Sequence, residues 1–271
     1  MRTVSSRQNP LVRGFRDAAA HPGAEGLVLL DGLHLIRDAR EASLPLHIVA
    51  VTAHALAHAP DAVTLVQALE RDGVDVVEVT EAVMEALSPV RTPSGLTALA
   101  SLDTVGLDDL ANVATPLVVA AVGVQDPGNL GALIRAAEAG GATGIVICGA
   151  SAHPLAWKTL RGSMGSALRL PVAVVPDVEP VLAFAAANGL TSIATTARDG
   201  RDPTDLPLTR PLLLLLGAEG GGLTDDVVAA CDARVTIPMQ PPVESLNVAV
   251  AAALLVYEAR RQRLAGRPGA R

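Results

Sequence analysis

The chain has 271 residues, half of them hydrophobic, and a formal net charge of −7. That length buries one large core or two ordinary ones, and no apolar run approaches the roughly 20 residues of a bilayer-spanning helix. Two cysteines, Cys148 and Cys231, are too few for a disulfide framework.

Residues 1–16 carry Arg2, Arg7, Arg13 and Arg16, with no acidic residue and no apolar h-region. No signal peptide is visible, and a reduced, cytoplasmic location without membrane attachment is expected. From there to residue 101 the pattern alternates in period. Strands are predicted over 26–30, 46–52, 74–79 and 96–101, and helices over 32–42, 61–71 and 81–87. Together they predict a small α/β domain over 1–102. A weakly patterned acidic stretch, 103–115, with Asp103, Asp108 and Asp109, reads as a linker.

The second half repeats the alternation with more apolar strands, over 116–124, 144–148, 172–175, 191–195, 212–216 and 234–237. Helices are predicted over 130–139, 178–188, 224–231 and 246–263. Near-continuous apolar strands separated by helices imply a parallel sheet covered on both faces, here an α/β domain over 116–271. Ligands of such sheets gather beyond the carboxyl ends of the strands. Net charge argues against a nucleic-acid partner, yet the cations cluster. Arg260, Arg261, Arg263, Arg267 and Arg271 close the chain, and Lys158 is its only lysine. Guanidinium groups suit forked phosphate contacts, although a codon bias toward arginine and alanine produces the same pattern.

Three loops carry the chemistry. After the first strand of the second half comes Asp126-Pro127-Gly128-Asn129-Leu130-Gly131, with Asn129 where a helix N-cap belongs and Arg135 in the second turn, close to buried surface. These glycines do not make GxGxxG, which speaks against a dinucleotide oxidoreductase. Leu216 runs into Gly217-Ala218-Glu219-Gly220-Gly221-Gly222, a glycine loop around one carboxylate and without the Lys-Ser/Thr of a P-loop. A nucleoside lacking phosphates suits such a loop. Finally Ile237-Pro238-Met239-Gln240-Pro241-Pro242-Val243-Glu244 is a proline-stiffened loop, and Ser245-Leu246-Asn247 opens a long alanine-rich helix. A capped helix after a proline turn accounts for this stretch taken alone.

Taken together, Asn129 with Arg135, Gly217-Ala218-Glu219-Gly220, and Ser245-Leu246-Asn247 resemble the three motifs of the SpoU (TrmH-like) branch of the SPOUT RNA methyltransferases. Ala218 departs from the asparagine many members carry. The resemblance covers residues 116–263. Asn9-Pro10-Leu11-Val12 and Leu29-Leu30-Asp31-Gly32 more weakly resemble the N-terminal substrate-binding domain of ribosomal-RNA members, and the stretch 158–166 looks like the family's segment between motifs.

The resemblance implies a deep trefoil knot with 236–263 in the threaded piece, S-adenosylmethionine as cofactor, and a ribose 2′-O-methyl product in RNA, with large-subunit ribosomal RNA as the expected substrate. It also implies a homodimer with the active site at its interface. The cofactor would contact Leu216, Gly217, Glu219, Gly220, Ile237, Met239, Ser245, Leu246 and Asn247. Arg135 is the residue to which the family assigns proton removal. Since guanidinium groups hold their proton at ordinary pH, stabilising a developing alkoxide is an equally economical role. Asn129 and Ser245 would position ribose and phosphate, with Glu219 and Asn247 organising the loops. Arg7, Arg13 and Arg135 are candidate RNA contacts, and no metal ligands are assigned. A tRNA ribose or base-nitrogen methyltransferase of the same fold, or a non-catalytic RNA-binding factor, are the rival readings. Scarce aromatic residues disfavour base-stacking platforms, so arginine–phosphate contacts should dominate recognition.

Overall fold

The chain divides into two compact units, Met1–Asp103 with Leu155–Arg169, and Thr104–Pro154 with the chain from Leu170 onward. The structure, a computed structural model, describes residues 1–265. Arg267 and Arg271, two of the terminal arginines noted above, lie outside the described residues.

In the first unit short apolar strands alternate with helices: β1 (Arg2–Val4), α1 (Pro10–Ala20), β2 (Leu27–Asp31), α2 (Leu33–Glu41), β3 (Leu46–Thr52), α3 (Ala53–His58), α4 (Pro60–Arg71), β4 (Asp75–Val79), α5 (Glu81–Leu87) and β5 (Leu96–Ser101). Side-chain caps start three of the helices. Asn9 accepts from the Leu11 N–H, Thr52 from Ala55 and Thr80 from Val83, each satisfying a donor the first turn leaves free. The sheet order is β1-β4-β3-β5-β2, with β5 antiparallel to both neighbours. Val12 and Phe15 of α1 pack with Val83, Met84 and Leu87 of α5 in one apolar cluster.

Strand β1 went unpredicted because three residues are too few to show a period, and α1 because arginines interrupt its apolar pattern. The six-residue α3, all alanine and histidine but for Leu56, gives too little contrast for periodicity to register.

The second unit holds β6 (Leu117–Val122), α6 (Pro127–Gly140) and β7 (Gly144–Cys148). The next element in the chain, α7 (Trp157–Ser163), belongs to the first unit, where Trp157 packs against the cluster around Phe15. The second unit resumes with β8 (Val172–Val174), α8 (Glu179–Ala187), β9 (Thr191–Thr195), β10 (Leu212–Leu216), α9 (Asp225–Ala230), β11 (Ala233–Val235) and α10 (Val248–Ala265). Its six strands run in the order β11-β9-β10-β6-β7-β8, all parallel. β10, five leucines and every one buried, lies between β9 and β6. That burial on both faces is what its unbroken apolar run signalled.

Val181, Phe184 and Ala185 of α8 join Val118, Val146 and Leu213 in the core. α10 packs along α6, and closely: a Cβ added to Gly140 would run into the Val256 side chain. Within residues 103–115 a 3-10 turn, Asp108–Ala111, buries Leu110, and the Val105 N–H donates to the Val172 carbonyl at 2.9 Å.

Candidate active site

The loop after β6 turns into α6 through Asp126, whose carboxylate accepts from the Asn129 N–H at 2.7 Å. Asp126, not Asn129, is therefore the N-cap, with Pro127 in the first turn. This leaves the Asn129 side chain free to reach outward. Its Nδ2 donates to Glu219 Oε1 in the loop after β10, and its Oδ1 accepts from Asn247 Nδ2 at 2.9 Å. Asn247 Oδ1 in turn accepts from the N–H groups of Ala249 at 2.9 Å and Val250 at 3.4 Å. Asn247 thus caps α10, which begins at Val248 and not at residue 246.

The orientations of the Asn129 and Asn247 amides are dictated by their partners. Backbone N–H groups need the Asn247 oxygen, so its nitrogen faces Asn129. That fixes the Asn129 oxygen, and its nitrogen is left for the carboxylate. The three loops are joined by one polar relay running from Glu219 through Asn129 to the start of α10.

Arg135 sits on the exposed side of α6. Leu133, Ile134 and Ala137 take the buried positions around it, so helical phase turns the guanidinium away from the core and not toward it, as its apolar neighbours had suggested. Among the described residues Arg135 has no hydrogen-bond or ion-pair partner.

A cavity of about 640 Å³ opens at the carboxyl ends of β9, β10 and β11, within the range typical of small-ligand sites. Leu216, Gly217, Glu219 and Gly220 border it from the β10 side, and Ile237, Met239, Ser245, Leu246 and Asn247 from the β11 side. Asn129 and Arg135 are not among its lining residues. At Gly217 a Cβ would collide with backbone atoms of Gly222 and Leu223, so the loop closes on itself at van der Waals distance. Gly220 and Gly222 take left-handed φ values of 84° and 66°, which suit glycine. Apolar side chains and glycine backbone among the lining residues fit an adenosine moiety without phosphates. S-adenosylmethionine has that chemistry.

The loop after β9 also borders the cavity, with Thr195, Arg198 and Asp199. Sequence reading passed over this loop, though the strand-end rule that singled out its neighbours applied to it equally. Burial pushes the Cys148 and Cys231 thiols up to about 11, far from the range of a reactive thiolate. Of the candidate RNA contacts in the first unit, Arg7 is held by the Ala82 carbonyl and Glu85 at 2.7 and 2.9 Å. Arg13 is 87% exposed, with Asp17 beside it at 3.5 Å. Two terminal arginines serve the fold. Arg261 pairs with Glu258, and Arg263 donates to the carbonyls of Leu208, Thr115, Pro116 and Arg210.

A parallel α/β sheet with a nucleoside-sized cavity beyond its carboxyl ends, bordered by a glycine loop and an amide relay, has the form of a nucleoside-binding site. The SpoU rRNA methylase family model matches residues 116–257, and an MRM3-like substrate-binding domain model matches residues 23–98. An uncharacterised tRNA/rRNA methyltransferase of Synechocystis is 33% identical over 97% of this chain and 95% of its own length. The 23S rRNA (guanosine(2553)-2′-O)-methyltransferase of Bacillus subtilis is 32% identical over 69% of this chain and 73% of its own. Among solved structures, the AdoMet-bound rRNA methyltransferase of Sinorhizobium meliloti superposes with a TM-score of 0.83 at 28% identity, covering 96% of this chain and 97% of that one. AviRb of Streptomyces viridochromogenes, in complex with AdoMet, gives 0.82 at 28% identity, over 95% and 100% of the two chains. This chain belongs to the SpoU rRNA methylase family.

Proposed function

We propose that this chain transfers a methyl group from S-adenosylmethionine to a ribose 2′-hydroxyl of large-subunit ribosomal RNA. The observation that carries the reading is the relay from Glu219 through Asn129 to Asn247, set beside a cavity of nucleoside size. When bound, the cofactor supplies an electrophilic methyl on a sulfonium sulfur. The residues of the chain then hold the hydroxyl in line with it and accommodate the charge that develops as its proton leaves. Arg135, exposed on the same helix as Asn129 and without a partner among the described residues, is the group we assign to that charge and to the neighbouring phosphate. Ser245, also exposed at the cavity edge, is free to orient the ribose or its phosphate. Glu219 and Asn247 act through Asn129 and organise the loops.

The first unit is taken as the RNA-gripping half, with Arg13 as a phosphate contact and Arg7 a lesser one because Glu85 already neutralises it. The homodimer rests on α10. Val250, Leu254, Tyr257 and Leu264 are each 42–50% exposed along that helix, an apolar stripe of the sort that marks a protein interface. Helix α10 against α6, following the glycine loop, is in keeping with a trefoil knot. The cytoplasm suits two free cysteines.

The test is incubation with ribosomal RNA and labelled S-adenosylmethionine, followed by alkaline hydrolysis and mass-spectrometric mapping. Ribose methylation blocks cleavage at the modified nucleotide. A methylated nucleotide that still hydrolyses would point to base methylation and refute the ribose assignment.

A further inference from the structure

The loop after β9 is pinned at both ends of its turn. The Thr196 N–H donates to the Val235 carbonyl, the Arg201 N–H to the Arg234 carbonyl, the Thr236 N–H to the Arg201 carbonyl, and the Gly200 N–H to Thr236 Oγ1 at 2.9 Å. Gly200 lies so close to β11 that a Cβ there would sit 2.6 Å from the Thr236 nitrogen. Asp199 holds a left-handed φ of 62°. Arg198 therefore projects from a fixed turn, not from a loose loop. Arg198 lines the cavity, and its guanidinium meets Glu244, from the proline loop, at 3.5 Å. Both side chains are largely exposed, 76% and 80%. An ion pair so open is weak and readily exchanged.

The cavity is thereby polarised. On one side Glu219 reaches toward α6 and is held by Asn129. On the other, one strand beyond β10, Arg198 stands on the loop after β9. The two loops follow adjacent strands, β10 and β9, and the proline loop after β11 closes the far side. The cofactor taken by this site carries an adenosine, a sulfonium, an ammonium and a carboxylate. Its carboxylate is repelled by Glu219, Asp199 and Asp225, and of the two arginines lining the cavity, Arg198 and Arg234, Arg198 is the one seen to reach an opposing carboxylate across the mouth.

We propose that Arg198 is the cofactor-selecting residue of this cavity, its guanidinium exchanging Glu244 for the carboxylate at the amino-acid end of S-adenosylmethionine. The inference rests on the cofactor reading above and adds to it a specificity determinant outside the three motif loops.

Calorimetry on the full chain with S-adenosylmethionine and decarboxylated S-adenosylmethionine tests it, since the two differ only in the carboxylate. The wild type should prefer the carboxylated compound by about two- to five-fold, the worth of a solvent-exposed ion pair. Arg198→Gln should collapse that ratio toward one while leaving affinity for the decarboxylated compound unchanged. Glu244→Gln, which removes the competitor, should widen the ratio. A wild type that does not discriminate, an Arg198→Gln variant that keeps the preference, or one that weakens both compounds alike would each overturn the proposal. So would an Arg198→Gln variant that lost affinity for ribosomal RNA alone, since the guanidinium would then serve a substrate phosphate. If the wild type binds neither compound, the cofactor reading itself fails.

Discussion

Asn247 Nδ2 and Asn129 Oδ1 meet at 2.9 Å across 118 positions of sequence, and this bond separates two jobs that a single residue performs. Asn247 Oδ1 caps α10, while its nitrogen orients Asn129. Asn247→Ala removes both functions. Losing the cap costs about 1 kcal/mol, or about 2–4 °C in Tm for a chain of this size. Asn247→Asp keeps a good cap acceptor but turns a carboxylate toward the Asn129 oxygen, which must flip and present that oxygen to Glu219. The aspartate variant should therefore melt near the wild type yet lose about a hundredfold in methyl transfer, the usual penalty for a misplaced group. Thermal melts combined with single-turnover assays separate the two roles. An aspartate variant with wild-type turnover would sink the relay.

Arg135 makes no bond to the described protein, so its removal disturbs little of the fold. Arg135→Ala should leave Tm within about 1 °C and S-adenosylmethionine affinity unchanged, while abolishing methyl transfer. Arg135→Lys retains the charge but not the fork, and should recover only a small part. Calorimetry next to turnover decides the matter. Full turnover by Arg135→Ala would remove Arg135 from the reaction.

The glycine loop contains both obligatory and permissive positions. A Cβ at Gly217 meets the backbone of Gly222 and Leu223, whereas one at Gly221 meets nothing within 4 Å. Gly217→Ala should open the loop, destabilise the chain by about 1–3 kcal/mol and weaken cofactor binding. Gly221→Ala, at a position without left-handed φ, should be near neutral in both. Equal effects of the two substitutions would show that crowding at the crossing is not what closes the loop.

How far the sequence disclosed all this depends on contrast. Strands such as Leu212–Leu216 announced themselves because burial on both faces leaves no polar interruption. Helix α3 and strand β1 were too short, and α1 too rich in arginine, to register. At the site the residue types were legible but not their partners. Nothing local says that Asp126 takes the cap and releases Asn129, or that Asn129 then bridges Glu219 and Asn247. Arg198 was missed because its loop has no glycine cluster or proline run, and its significance lies in an opposing residue, Glu244, from another loop. The C-terminal arginines were misleading for the opposite reason. Arg263 looks like a phosphate ligand in sequence and is a structural tie in space.

That tie can be measured. The Arg263 guanidinium donates to the carbonyls of Leu208, Thr115, Pro116 and Arg210 at 2.8–3.1 Å, and its burial disfavours the charged form. Lysine cannot reproduce a planar fork directed at several carbonyls. Arg263→Lys should cost about 2 kcal/mol, lowering Tm by about 4–8 °C. It should leave the salt dependence of RNA binding untouched, whereas removing a phosphate contact lowers the slope of log affinity against log salt by about one. A changed salt slope with an unchanged Tm would return Arg263 to the RNA interface.

The first unit carries a buried carboxyl whose effect on stability depends on pH. Burial raises the Asp31 carboxyl above its ordinary range, while the hydrogen bond from Ser88 at 2.8 Å and the charge of Arg161 partly oppose that shift. A raised folded-state value means the folded chain binds the proton more tightly than the unfolded one. The stability it confers is present below the ordinary carboxylate range and is lost as pH rises through the elevated value. At neutral pH the ionised carboxylate is therefore a cost. Asp31→Asn removes the charge and keeps an oxygen able to accept from Ser88. The variant should melt above the wild type at pH 7, and the gap should close as pH falls toward and below about 3.9. Parallel melts across that window check both sign and position. A variant less stable than wild type at pH 7 would mean that the Arg161 attraction outweighs desolvation.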